Sequence, residues 1–222
     1  MKRSIALIIT FVVILTCFTA CKKGVPVDSV TDFAGEAIAV VTKEDGGLIR
    51  DDSGNVVVYV TDADGNGIKG DKGELVTKAQ AVEHAIVMGN RIEMPDYAIN
   101  IPNGWSNESS YTMLNITKDG TDTMITIMAD RNSKLSDIQK NHDTIVSAAA
   151  TGDIVKTTEK VAGQEATVTY TFSTIAGNKI FVGYVDFMYQ GVVFTVQVSA
   201  TSDLSSSWGD IMSIVNTIEF VH

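Results

Sequence analysis

Four runs of alternating apolar and polar residues crowd into positions 153–200: Asp153 to Val161, Glu165 to Ser173, Ile180 to Met188 and Val192 to Ala200. The first gap holds Ala162-Gly163 and the last Tyr189-Gln190-Gly191. Parallel neighbours need a crossover of about a dozen residues or more, so gaps this short impose antiparallel hairpins. In the second run Ala166, Val168, Tyr170 and Phe172 share one face. Upstream, Tyr97, Ile99 and Ile101 alternate into Pro102-Asn103-Gly104. Tyr111 to Thr117 and Thr123 to Ala129 follow, split by an Asp119-Gly120 turn. The period then changes. Leu135, Ile138, His142, Ile145, Val146 and Ala149 form a helical stripe, with Ser133 or Ser136 as cap and Gly152 as stop. Leu204, Trp208, Ile211, Val215 and Ile218 form a second, capped by Ser202 or Asp203. The expected fold is α+β: a mostly antiparallel sheet of six or seven strands packed by two amphipathic helices over residues 91–222. That length suffices for a single core.

The N-terminus has a different character. Lys2 and Arg3 precede a charge-free stretch, Ser4 to Ala20, which ends Phe18-Thr19-Ala20-Cys21-Lys22-Lys23. This is the layout of an export signal, with an apolar run a little short for a membrane span. It looks like a bacterial lipoprotein signal, cleaved between Ala20 and Cys21, over residues 1–20. The sulfur of Cys21 would take the diacylglyceryl group, and Ala20 supplies the small side chain before it. Phe18 departs from the usual Leu, and Cys17, preceded by Thr16, is a poorer acceptor. A plain secretory signal and an uncleaved anchor are the alternatives. Two or three acyl chains at Cys21 give stable membrane attachment, with the protein on the outer face of the cytoplasmic membrane and Lys22 and Lys23 at the headgroups.

Residues 21–90 look like a tether. Glycine and acidic residues are dense between Gly46 and Gly73, and an ungapped repeat runs there at an offset of 19 residues, units 41–59 and 60–78. Val41-Thr42-Lys43-Glu44-Asp45-Gly46 aligns with Val60-Thr61-Asp62-Ala63-Asp64-Gly65. Each unit reads as short β-runs and Gly turns, with Val56 to Val60 the best strand. Two units are too few for a solenoid core. The expectation is an extended Gly/Asp-rich stalk, spanning about 45 Å as a coil. Val27, Val30, Phe33, Ala37 and Val40 have helix-like spacing over 27–43, and Thr77 to Ile86 suggests another short helix.

Composition narrows the chemistry. The 27 acidic residues outnumber the 17 basic ones, a net charge of −10, which argues against nucleic acid as a partner. Both cysteines precede residue 22, so neither a disulfide framework nor a cysteine-ligated zinc is available. Three histidines remain, His84, His142 and His222, and no two have metal-binding spacing. No Gly-x-Ser-x-Gly elbow occurs. Asp62, Asp64 and Asn66, with Gly67 behind them, match the first half of a calcium loop. Position eight is Lys69 and position twelve is Gly73, so an ordinary Asp-Gly turn is the competing reading. Gly65-x-Gly67-x-x-Gly70 matches a dinucleotide fingerprint without the helix that must follow, and no cofactor is expected.

Tyr97-Ala98-Ile99-Asn100-Ile101-Pro102-Asn103-Gly104-Trp105 resembles the opening strand of the PsbP-like superfamily, an aromatic-led strand followed by Pro-x-Gly-Trp. Val161 to Ala166 looks like that family's Gly-centred hairpin, and Trp208 to Ile218 is similar to its closing helix. The resemblance covers about residues 92–222. It implies an α/β/α sandwich used for binding and assembly, without a shared catalytic constellation or transferable ligand residues.

Trp105 is the candidate for partner binding if exposed, and a lock on the Pro-Gly turn if buried. His142 lies on an apolar stripe, where a satisfied core histidine is the plainer reading. Glu93 and Asp96 flank a strand and could pair across a cleft. Ser106, Ser109 and Ser110 look like a solvated loop. No catalytic set can be assembled. The reading is a lipid-anchored binding or assembly module with an envelope protein as partner. An envelope hydrolase and a small-ligand or calcium-sensing lipoprotein stand as alternatives.

Overall fold

A computed structural model describes residues 24–110, 113–175, 177–201, 204 and 208–221. Ala20 and Cys21 lie outside them, as do His222 and the expected caps Ser202 and Asp203.

Residues 24–88 are β throughout where they are regular. Strands β1 (Val30–Thr31) and β2 (Ala37–Ile38) pair, as do β3 (Val56–Tyr59) and β4 (Thr77–Gln80). The two short helices expected here do not form. Of the five residues at helical spacing, Phe33 is 51% exposed and Val40 3%, so they share no buried face. Five turns organise the segment: Asp32–Glu36, Lys43–Gly47, Asp51–Asn55, Asp62–Asn66 and Gly70–Glu74. In each, the first N–H donates to the fifth carbonyl and the fourth N–H to the first carbonyl. The fourth residue is always glycine, with φ between 81° and 88°, a region costly for a side chain.

The 19-residue repeat has a physical form. The N–H of Val41 donates to Val57, that of Val57 to Ile49 and that of Ile49 to Val41, closing a ring of three backbone bonds at 2.8–3.1 Å. Val60, Val76 and Ile68 close a second ring at 2.8–2.9 Å, 19 residues on. The Asp32–Glu36 turn sits 19 residues before Asp51–Asn55, so a third, partial unit precedes the two visible in the sequence. A core of Ile38, Val40, Leu48, Val56, Val58 and Ile86 lies inside. Residues 24–88 are therefore folded, in place of the expected extended stalk.

Beyond it come β5 (Ile86–Met88), β6 (Arg91–Glu93), β7 (Tyr97–Asn100), β8 (Trp105–Ser109), β9 (Met113–Lys118) and β10 (Met124–Asp130). Helix α1 (Leu135–Ala149), β11 (Ile154–Val161), β12 (Gln164–Ile175), β13 (Asn178–Tyr189), β14 (Val192–Ala200), α2 (Trp208–Val215) and β15 (Glu219–Phe220) complete the chain. A seven-stranded antiparallel sheet runs β11-β12-β13-β14-β10-β9-β8, and a four-stranded one β15-β7-β6-β5. The protein is thus α+β with mostly antiparallel sheets.

Register sets the layers. Ile127, Val196, Val185 and Val168 align across four strands, all fully buried. They face the second sheet and α2, whose Ile99, Tyr97, Ile211 and Val215 join the same core. Phe194 is stacked on Phe187, with Tyr97 and Phe220 edge-on to it. Burying side chains of this size stabilises by about 1.5–3 kcal/mol each. The next row, Thr167, Asp186, Thr195 and Met128, faces the other way, and α1 covers part of it.

Two expectations change. Tyr97–Asn100 belongs to the second sheet, and its place in the main sheet is taken by Trp105–Ser109, expected as a loop. The N-cap position of α1 is Lys134, which makes no side-chain cap bond, and Ser133 instead donates to Asp130 at 2.5 Å. The helix also leaves Ile145 46% exposed.

Candidate functional site

The Pro102-Asn103-Gly104 turn carries the chain from β7 in one sheet to β8 in the other. Gly104, at φ 84°, makes the reversal, and Asp119 N–H donates to its carbonyl. Trp105 therefore starts an edge strand beside the gap between the sheets. Its indole is half-buried, packed on the main core, with Lys118 Nζ 5.8 Å from the ring centroid. Neither expected extreme, a free anchor or a sealed core residue, describes it.

Beside it α2 leaves a groove of about 640 Å³. Ile101, Pro102, Trp105 and Ile214 give it an apolar floor. Asn90, Asn100 and Asn103 stand on its rim with exposed carboxamides. Among the described residues those carboxamides make no side-chain hydrogen bond. The Thr217 hydroxyl bridges the N–H and carbonyl of Asn100 at 3.0 and 3.1 Å, and Ser213 donates to Gly209 at 2.8 Å. Thr217, just after α2, thus fastens the end of the helix to β7, while the Ser213 bond stays within the helix. The carboxylate of Asp210 lies 3.5 Å from Lys118. The size is typical of small-ligand sites, as is the mix of apolar floor and few polar groups. Sequence reasoning found Trp105 but missed the asparagines. Asn100 and Asn103 are three residues apart beside it, whereas Asn90 arrives through sheet pairing.

Glu93 and Asp96, which the sequence leaves open as a carboxylate pair or as ordinary strand-end charges, are each bound to arginine. Glu93 is buried and accepts from Arg50 Nη2 at 3.0 Å, Arg91 Nε at 2.8 Å and Leu48 N–H at 3.4 Å. Arg91 also grips Glu219 through two bonds at 3.0 and 2.9 Å. That fork holds the Glu219 carboxyl below its ordinary value and pushes the Arg91 guanidinium up. Asp96 is paired with Arg131 instead. These two lie on a separate cavity of about 510 Å³, also lined by Tyr97, Asp130 and Asn132.

His142 is buried beneath α1. Its Nδ1 lies 2.8 Å from Asp186 Oδ2, and Asp186 Oδ1 accepts from Thr195 at 2.9 Å. The ring stacks on Tyr184 with centroids 3.8 Å apart. This clamps helix to sheet, the satisfied-core role. Ser109 is buried on β8, Ser106 is exposed and donates to Thr117 at 3.4 Å, and Ser110 donates to Met113.

The calcium-like segment is an ordinary turn of the repeat. Asp62 Oδ1 accepts from Asp64 N–H at 3.0 Å and Asn66 N–H at 2.9 Å. Asp51 makes the same two bonds, to Ser53 and Asn55, without any metal-loop pattern around it. Among the described residues no group of three or more His, Cys, Asp or Glu is placed to hold a metal ion.

No protein-family model matches the chain, and no curated protein is similar to it in sequence. Three solved structures are similar to part of it. LpqN of Mycobacterium tuberculosis, involved in cell envelope biogenesis, is 15% identical, with a TM-score of 0.42 over 55% of this chain and 82% of that one. A Bacteroides thetaiotaomicron protein is 10% identical, with a TM-score of 0.43 over 56% of this chain and 44% of that one. A Pseudomonas aeruginosa protein of unknown function, PA94, is 13% identical, with a TM-score of 0.37 over 54% of this chain and 88% of that one.

Proposed function

We propose that this protein is an exported lipoprotein, anchored through Cys21 to the outer face of a bacterial cytoplasmic membrane, that acts there as a binding or assembly module. The observation that carries this reading is the Lys2-Arg3 start, the charge-free stretch to Ala20 and Cys21 directly after it. No described helix is long and apolar enough to cross a membrane. Residues 91–222 supply the PsbP-like binding domain, a reading supported by the Pro-Asn-Gly-Trp turn. The arginines on Glu93 and Asp96, and the histidine on Asp186, bind those carboxylates internally. Surface for recognition is supplied by the groove at Trp105.

The folded repeat layer changes the geometry of anchoring. Val25 pairs with Gly67 through bonds of 3.0 and 2.8 Å. Gly24 packs so closely on the Asp62–Asn66 turn that a Cβ there would meet Asn66 Cβ at 2.4 Å. Only three residues lie between Cys21 and Val25, four steps of chain that span at most roughly 14 Å. The layer then rides at the headgroups rather than about 45 Å out.

Metabolic labelling with an alkyne fatty acid, with membrane fractionation, tests the anchor. The wild type takes up label and sediments with membranes, while Cys21→Ser does neither. Label or membrane retention in Cys21→Ser contradicts the proposal.

A further inference from the structure

We infer that the groove between α2 and the Pro102–Gly104 turn binds a neutral saccharide, an inference that rests on the binding-module reading above. Charge comes first. Asp210 is the one ionisable side chain among those lining the groove, and Lys118 stands 3.5 Å from it. The groove thus offers no uncompensated charge, so neither a phosphate nor an acidic peptide finds a counter-ion there.

Hydrogen-bonding capacity comes second. The hydroxyls of Ser213 and Thr217 are committed to backbone carbonyls, whereas the carboxamides of Asn90, Asn100 and Asn103 are unengaged among the described residues. Each carboxamide presents two donors and an acceptor on one planar group. Vicinal hydroxyls of a sugar ring, each both donor and acceptor, satisfy such a group. A purely apolar ligand makes no use of the three, whereas a ring carrying hydroxyls pairs with them in place of water.

Shape and surface come third. The floor of Ile101, Pro102 and Ile214, with the half-buried indole of Trp105, is an apolar wall on which the C–H face of a sugar ring can lie. Both ends are fixed: β7 and α2 are bound to each other through Thr217, and the turn is set by Gly104. The site is therefore largely pre-formed, which limits the ordering cost of binding. An envelope module placed close to the membrane surface meets glycans of this chemistry.

The test is a fluorescence titration of the full chain. The sequence has two tryptophans, Trp105 and Trp208, so Trp208→Phe leaves Trp105 as the single reporter. Maltotriose, cellotriose, mannotriose and chitotriose are the neutral probes, with trigalacturonic acid as the charged control. At least one neutral trisaccharide gives a saturable change in emission, unaffected by salt between 50 and 500 mM. Asn103→Ala weakens that binding at least tenfold. Asn103 is exposed, and the thermal unfolding of its variant is expected to match the parent, so lost binding reports the groove and not the fold. A flat titration with every neutral probe overturns the inference, as does equal binding of trigalacturonic acid. Neither result touches Cys21 labelling, so failure of the saccharide site and failure of the lipoprotein reading are told apart.

Discussion

Glu93 shows how single residues tie the molecule together. Its carboxylate is buried, and it takes one guanidinium from the repeat layer, Arg50, and one from its own strand, Arg91. A buried ion pair contributes little over an apolar substitute, but removing one partner strands the others at about 3–5 kcal/mol. Glu93 is thus a requirement for register between the two cores. The outer end of this chain of charges is open to a pH test. Arg91 holds the folded-state pKa of Glu219 below the ordinary 4.5. The stability this supplies is complete above pH 4.5 and is lost as pH falls through the lower folded value. Glu219→Gln should therefore be less stable than wild type at pH 7, and the two should converge in acid. Because the Glu219 side chain is 58% exposed, the gap at pH 7 stays under about 1 kcal/mol. Urea midpoints at pH 7 and pH 3 check this; a gap that widens in acid contradicts it. None of this network was visible in the sequence, since Arg50, Glu93 and Glu219 meet only through pairing across more than 40 positions.

Strands that differ in length differ in how much of them the sequence reveals. The runs from β11 to β14 are eight to twelve residues, long enough for period-two alternation to be unmistakable, and the structure places them as expected. Their turns at Ala162-Gly163 and Gln190-Gly191 have positive φ at both residues, the primed geometry that follows strand twist. Strand β8 escaped notice because it is an edge. In Trp-Ser-Asn-Glu-Ser the three central residues are exposed, so no alternation of hydropathy marks it. The repeat layer escaped for another reason. Its strands β1 and β2 are two residues long, and apolar residues that serve successive short strands recur at spacings that imitate a helix. What did show was turn chemistry, because a fixed glycine every eight or eleven residues is independent of strand length. Gly54 is the clearest test. Its φ of 81° lies in the left-handed region that a side chain disfavours, so Gly54→Ala loses stability through backbone strain. The expected cost is about 1–2 kcal/mol, with most of it recovered in Gly54→Asn, which tolerates this region. Equal unfolding midpoints for wild type and Gly54→Ala contradict the turn assignment.

For the molecule as a whole, fold class was readable and pairing was not. Seven strands and two amphipathic helices gave α+β, but alternation cannot say which strand lies beside which. Tyr97–Asn100 pairs with β15, more than 110 residues away, and so leaves the main sheet. The groove followed the same rule: Trp105 stood out by type, while Asn90 and α2 reach it through long-range contacts. The largest consequence is that residues 24–88 form a second small core, joined to the first through β5, Glu93 and Arg50. Under the proposed anchoring at Cys21, a folded body is held against the membrane instead of trailing on a cord. Amide hydrogen exchange on the intact chain tests this most directly. The N–H groups of Val41, Ile49, Val57, Val60, Ile68 and Val76, which close the two backbone rings, should be protected by at least about a thousandfold. Exchange of these six amides at the rate of an unstructured peptide would contradict the folded repeat layer and restore the tether.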